Sequence, residues 1–163
     1  MTAYEVAEWH ELLVASAGAA AALAGLVFVA VSINVERILH LEGLPERALQ
    51  TVLLLLGAVI VSLFGLIPQS TAALGVELLA TGLALTGFFA ATSRTTLKDT
   101  RGHSGWLLSR LVATVPGYVP YAVAGVSLLV EAGGGLRWLA AGIIGALIGA
   151  VVNAWVLLVE ILR

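Results

Sequence analysis

Glu77 is the residue of this sequence whose type and surroundings most suggest chemistry. The stretches 48–76 and 78–93, on either side of it, contain no Asp, Glu, Lys or Arg. An ionised carboxylate in apolar surroundings costs several kcal/mol unless it meets water, a partner or a proton, and such acids are typical of ion or substrate pathways. A structural role, in which the carboxylate reaches a polar surface or bonds a hydroxyl group, is the alternative.

A second group of residues lies in the run from Val115 to Tyr121, which contains Pro116, Gly117, Tyr118, Pro120 and Tyr121. Each proline lacks an amide proton and crowds the carbonyl four residues before it, so a helix is expected to kink or break here. Carbonyls freed in this way favour a hinge or a cavity lined by backbone carbonyl oxygens. A kink without a functional role is the alternative. Residue counting at about 1.5 Å per helical residue puts both tyrosines at a depth similar to that of Glu77. We therefore predict a shared polar pocket.

The elements that carry these residues are predicted from composition. Of the 163 residues, 60% are hydrophobic and 11% are charged, with a mean hydropathy of +1.05, which excludes a water-soluble enzyme. A membrane-spanning helix needs about 20 apolar residues, and the run Pro68-Gln69-Ser70-Thr71 divides the longest uncharged stretch in two. The prediction is an all-α integral membrane bundle, residues 1–163 forming one transmembrane domain. Its five spans fall at about residues 12–33, 51–67, 72–92, 106–130 and 138–159.

The orientation of this bundle follows from its basic residues. With five spans and the N-terminus outside, Arg137 is the one basic residue outside the cell. The other seven face the cytoplasm: Arg37, Arg47, Arg94, Lys98, Arg101, Arg110 and Arg163. An excess of Lys and Arg near span ends marks the cytoplasmic side, so the sequence predicts an outer N-terminus and a cytoplasmic C-terminus in an inner (plasma) membrane.

Small residues recur at helical spacing in the first and last spans. Membrane helices associate by close backbone approach over such residues and by interhelical hydrogen bonds. The packing residues predicted on this basis are Gly18, Gly25, Ala141, Gly145, Gly149 and Asn153. They could pack within one bundle or form an interface between subunits, and both alternatives stay open.

Arg94, Lys98 and Arg101 form a basic stripe at i, i+4 and i+7, which we interpret as a contact with lipid headgroups. Cysteine is absent, and the three histidines stand in no recognisable metal-ligand motif. No catalytic residue, metal site or cofactor is therefore predicted. The net charge of −2 gives no reason to expect nucleic acid as a partner.

The run Ala-Gly-Leu-Val-Phe-Val-Ala-Val-Ser-Ile-Asn at residues 24–34, followed by Arg37-Ile38-Leu39, resembles the first span of small bacterial multi-pass membrane proteins that are uncharacterised. The resemblance covers that span and the few residues after it. It implies the bacterial inner membrane and no activity, cofactor or site residue.

Two functions fit this sequence. The first is a small oligomeric channel or transport protein, with a pathway near Glu77 and the proline-broken fourth span. The second is a non-conducting scaffold or accessory subunit that binds another membrane protein through its small-residue faces. A water-filled cavity that reaches Glu77 would favour the first. A packed bundle with a long exposed face of small residues would favour the second.

Overall fold

The computed structural model describes residues 3–41, 43–99 and 104–162, and all of their side chains except those of 93–99, 104–113 and 161–162. A short 3₁₀ turn, Val6–Trp9, precedes the helices. These are α1 (His10–Ile33), α2 (Val35–His40), α3 (Leu44–Leu66), α4 (Thr71–Asp99), α5 (Ser104–Leu129) and α6 (Leu136–Leu162). The described part of the chain is thus all-helical, as the sequence predicts.

Two residues with non-helical backbone set the bounds of the first three helices. Asn34 separates α1 from the short helix α2, with φ −108° and ψ 16°. Gly43 lies in the left-handed region, with φ 78°, immediately before α3. Pro45 follows near the start of α3, where its missing amide proton is not needed. Because of this start signal, α3 begins at Leu44, several residues before the predicted span.

The turn predicted around Pro68 is present. Helix α3 ends at Leu66, and α4 begins at Thr71. The Ser70 hydroxyl accepts a hydrogen bond from the Ala73 amide at 3.2 Å, which satisfies one of the free amides at the start of α4. Helix α4 then continues to Asp99, beyond the predicted end of the span at residue 92.

Helix α5 corrects the prediction about its prolines. It continues from Ser104 to Leu129 with Pro116 and Pro120 inside it, so of the predicted kink or break the break is wrong, and the kink stays a prediction. Each proline removes one hydrogen bond of the helix, but the remaining bonds and the packing of neighbouring helices hold the helical path.

Helix α3 is the centre of the bundle. It packs against α1, α4, α5 and α6, while α4 packs along α5 and α5 along α6. In the most apolar 18-residue stretch of α3, 50% of the residues are buried, whereas 17% are buried in the corresponding stretch that contains α1. Helix α1 therefore lies at the edge, held mainly by α3.

The ends of the bundle follow from the alternating direction of the long helices. The first described residues lie beside the α5–α6 turn, where the Leu136 amide donates to the Ala3 carbonyl at 2.8 Å and the Gly134 amide donates to the Tyr4 hydroxyl at 3.1 Å. Gly133 and Gly134 have φ of 88° and 113°, values that side chains disfavour. We call this end the N-terminal end and the other the opposite end.

Within the described residues, four helical segments are long and apolar enough to cross a membrane: Val6–Ile33, Leu44–Leu66, Thr71–Thr92 and Leu136–Glu160. In α5 the apolar part whose side chains are described is shorter, Thr114–Leu129. The bundle is therefore that of a membrane-embedded protein with four candidate spans.

Candidate functional site

Glu77 lies near the N-terminal end of the bundle, roughly 9 Å along α4 from its first residue. Its carboxylate accepts a hydrogen bond of 2.8 Å from the Gln69 side-chain amide. The same amide nitrogen donates to the Phe64 carbonyl at 2.9 Å, and the Thr81 hydroxyl donates to the Glu77 carbonyl at 2.8 Å. Gln69 thus links the end of α3 to the partly buried carboxylate on α4.

A cavity of about 210 Å³ lies beside this link. Its lining comes from the N-terminal segment and the α3–α4 turn and includes Val6, His10, Leu66, Pro68, Gln69 and Leu74. The cavity therefore reaches the amide that binds Glu77. On its inner side, Leu74 belongs to a core cluster with Leu78 and Tyr121.

The two tyrosines are buried in the interior and bind other groups. The Tyr118 hydroxyl donates to the Gln50 carbonyl at 3.4 Å, and its ring lies 6.4 Å from that of Phe89, with 59° between the ring planes. The Tyr121 ring lies between Gly57 of α3 and Gly142 of α6. Its buried hydroxyl has no hydrogen-bond partner among the described residues. In this part of the chain no hydrogen bond joins Glu77 to either tyrosine. The described hydrogen bond of the Glu77 carboxylate is the local one to Gln69, and the shared pocket stays a prediction.

The backbone between the prolines meets α6 directly. The Pro116 carbonyl cannot receive the usual helical hydrogen bond, because Pro120 has no amide proton. A side chain at Gly145 would collide with this carbonyl, and one at Gly117 would collide with Ala146. The freed carbonyl thus lies against a glycine of the neighbouring helix instead of lining a hinge or cavity.

The residues predicted to mediate packing divide into two groups. Those in the interior are Gly145, Gly149 and Asn153. Asn153 is 2% exposed, and its side-chain amide nitrogen has no hydrogen-bond partner among the described residues. Those at the surface are Ala141, Gly18 and Gly25, and nothing lies within 4 Å of a Cβ built at either of these two glycines.

The sequence analysis did not predict a close backbone contact that joins α4 to α5. A Cβ at Gly82 would collide with the backbone of Ala122, and a Cβ at Gly125 would lie 2.6 Å from the Gly75 carbonyl oxygen. These glycines show the same helical spacing as those of the first and last spans. The signal was present in the sequence, but it did not identify which faces meet.

A second missed feature is a buried polar group at the opposite end. Arg47 is 5% exposed although its position in the sequence suggested a surface charge, and Gln50 and Thr51 are also buried on α3. The Arg47 guanidinium interacts with the opposite charge of Glu160 on α6. The Thr51 hydroxyl donates to the Arg47 carbonyl at 2.8 Å. These groups connect α3 to α6.

The predicted lipid-headgroup stripe falls largely outside the described side chains. Arg94 and Lys98 lie in the last turns of α4, and Arg101 lies outside the described residues. The contact with headgroups stays a prediction.

Within residues 3–41, 43–99 and 104–162, no group of three or more His, Asp or Glu residues is arranged to hold a metal ion. No family model, curated protein or solved structure matches this chain.

Proposed function

We propose that this protein is a non-conducting membrane scaffold or accessory subunit that binds a transmembrane helix of another membrane protein through α1. One observation carries the proposal: the exposed side of α1 is made of small residues, and a Cβ built at either of its two glycines has nothing within 4 Å among the described residues. We call it the outer face of α1. Its residues are Ala15, Gly18, Ala19, Ala22 and Gly25.

The other side of α1 is already occupied. Leu13, Ser16 and Ala20 are buried, and the Leu13 side chain lies against Gly65 of α3. The outer face lies on the opposite side of the same helix. Lipid tails solvate large apolar side chains as well as a protein does, so exposed small residues gain nothing from lipid. They do allow another helix to approach closely enough for backbone contacts, which supports a helix as the partner.

Cysteine cross-linking tests this proposal, since the natural sequence contains no cysteine. Ala22→Cys places a thiol on the outer face of α1. Gly87→Cys on α4 is the matched control, because Gly87 is also exposed with nothing within 4 Å of a built Cβ. In membranes, we expect a photocrosslinker at Ala22 to give a discrete heteromeric product, whereas a disulfide-linked dimer of Ala22→Cys would identify a second copy of this chain as the partner and contradict the proposal. The control should give neither.

A disulfide-linked dimer would identify a homo-oligomer, and a heteromeric product would identify a scaffold for another protein. Equal cross-linking at both positions, or none with either reagent, would contradict the proposal.

A second candidate function, an oligomeric channel or transport protein, is favoured by the cavity that reaches Gln69. Water in this cavity would contact the amide that holds the Glu77 carboxylate. The test is ion or solute flux in proteoliposomes. Glu77→Gln keeps the shape of the side chain and replaces the carboxylate with a neutral amide, so cation flux through a pathway at this site should fall. Flux that does not differ between the variant and the natural protein would exclude Glu77 from any pathway.

The topology that accompanies both functions has five spans, with α5 as the fourth, an outer N-terminus and a cytoplasmic C-terminus. The seven-to-one distribution of basic residues supports it, and the resemblance of the first span supports a bacterial inner membrane. Reporters at the N-terminus and after Gly133 should read extracytoplasmic. Those after Gly43, Gly102 and Arg163 should read cytoplasmic. A cytoplasmic N-terminus would contradict this topology.

A further inference from the structure

The N-terminal segment, residues 3–9, precedes the long helices and joins α1 at a weak junction. Its 3₁₀ helix, Val6–Trp9, is little more than a single turn, and α1 begins at His10. Trp9 is the N-cap residue of α1 and makes no side-chain capping hydrogen bond. Because a 3₁₀ turn has poorer hydrogen-bond geometry than an α-helix, this junction resists bending less than the body of α1 does.

The segment has an apolar inner side and an acidic outer side. Tyr4, Val6 and Trp9 are partly buried and pack against the core cluster at the N-terminal end of the bundle. Glu5 and Glu8 are exposed. Burial of the apolar side chains holds the segment on the bundle, whereas the charged side chains keep its outer side in polar surroundings.

The same segment forms one wall of the cavity that reaches Gln69. Val6 and Ala7 line the cavity from the segment, and Gln69 lines it from the α3–α4 turn. Leu74 of α4 also belongs to the lining and is 1% exposed. Displacement of the segment would therefore uncover Leu74 and widen the route to the amide that binds the Glu77 carboxylate.

Backbone contacts latch the segment to the α5–α6 turn. The Leu136 amide donates to the Ala3 carbonyl at 2.8 Å. The Gly134 amide donates to the Tyr4 hydroxyl at 3.1 Å. Gly135 approaches the segment most closely, because a Cβ built there would collide with the Ala3 carbonyl and lie 2.9 Å from the Tyr4 ring. The latch thus requires a residue without a side chain at position 135.

The latched position leaves a polar group unsatisfied. The indole Nε1 of Trp9 is buried and has no hydrogen-bond partner among the described residues. A buried donor without a partner costs free energy, which contact with water would recover. Movement of the segment away from the bundle would expose this donor. The balance between the two positions therefore depends on the latch.

We propose that the N-terminal segment is a lid over this cavity, hinged between Trp9 and His10 and latched to the α5–α6 turn. Its opening gives water and small solutes access to Leu74 and to the Gln69 amide. The lid controls access to the cavity whether the protein is a scaffold or a channel, so it does not rest on the proposed function.

Thiol modification of the purified full chain tests the lid, because the natural sequence contains no cysteine. Leu74→Cys introduces a single thiol on the cavity wall, and a small water-soluble methanethiosulfonate is the probe. Gly135→Ala in this background puts a methyl group against the Ala3 carbonyl. We expect this variant to be modified about ten-fold faster or more, since overpacking of this kind displaces the group that it meets.

Gly133→Ala is the matched control. Both glycines have φ in the left-handed region, 88° at Gly133 and 52° at Gly135, so alanine is strained at either position. A Cβ at Gly133 would lie in ordinary contact, 3.5 Å from the Ser127 Oγ, and would leave the latch in place. The modification rate of Leu74→Cys should therefore change by less than about two-fold.

Two further variants keep the test decisive. Tyr4→Phe removes one latch hydrogen bond and should accelerate modification of Leu74→Cys about five-fold, and it decides the matter if Gly135→Ala does not fold. Leu78→Cys lies one helical turn deeper in the same core cluster, where Leu78 is 0% exposed, and should stay unmodified in each background.

Three outcomes would overturn the proposal. The first is a modification rate of Leu74→Cys that no folded latch variant raises. The second is equal acceleration by Gly133→Ala, which would indicate strain in the turn instead of release of the lid. The third is modification of Leu78→Cys as fast as that of Leu74→Cys, which would indicate general loosening of the bundle.

Discussion

The α4–α5 contact and the outer face of α1 are built from the same residue types but differ in surroundings. At the contact, Gly82 and Gly125 touch the backbone of the facing helix, and a Cβ at either would collide with it. On the outer face of α1, Gly18 and Gly25 have open space around them. Small residues at helical spacing therefore indicate where a helix can be approached closely. Between α4 and α5, two helices of the chain approach each other in this way. On the outer face of α1, the glycines have open space around them.

The largest expected effect is at the packed contact. Gly125→Leu would insert a side chain against Leu79 and the Gly75 carbonyl, so α4 and α5 must separate. We expect a loss of about 3 kcal/mol in the free energy of unfolding, the upper part of the range for overpacked cores. Gly87→Leu adds the same side chain in open space and should change the stability by less than about 0.5 kcal/mol. Equal stability of the two variants in denaturant titration would contradict the difference between the packed position of Gly125 and the open position of Gly87.

A smaller effect on stability is expected at the N-terminal end of the bundle, where Gln69 links the end of α3 to Glu77 of α4. Gln69→Leu removes the donor to the Glu77 carboxylate and should cost about 1.5–3 kcal/mol, as for hydrogen bonds to charged groups. Glu77→Gln retains an acceptor for Gln69 and should cost less. The same denaturant titration measures both, and a larger loss from Glu77→Gln would show that the charge, rather than the link, stabilises this end.

The smallest effect compares the two buried tyrosines. Tyr118→Phe removes the bond to the Gln50 carbonyl and should cost about 0.5–1 kcal/mol. Tyr121→Phe removes a buried hydroxyl that has no partner among the described residues, so its stability should be equal or higher. Thermal unfolding of the two variants checks the order. Greater destabilisation by Tyr121→Phe would indicate a partner for its hydroxyl, such as Glu77.

Composition predicted most of the fold, because long uncharged runs must form helices in lipid and the Pro68 turn is a strong local stop signal. It predicted a kink or break in the run from Val115 to Tyr121, and the break is wrong, since whether α5 continues depends on how α6 packs against it, and Gly145 lies at that point. A single sequence does not encode which faces meet. For that reason the Gln69 link to Glu77 and the burial of Arg47 emerged from the structure.

The central claim is that the outer face of α1 serves association and the interior glycines serve stability. Two variants test this claim most directly: a double variant on α1 that combines Gly18→Leu with Gly25→Leu, and the single variant Gly145→Leu. For each, the yield of oligomer or complex in membranes and the free energy of unfolding are measured in parallel. We expect the α1 double variant to keep its free energy of unfolding and to lose at least ten-fold in the yield of oligomer or complex. It predicts that Gly145→Leu loses about 2 kcal/mol of stability by colliding with the Pro116 carbonyl. An α1 double variant that associates as the natural protein does would contradict the account.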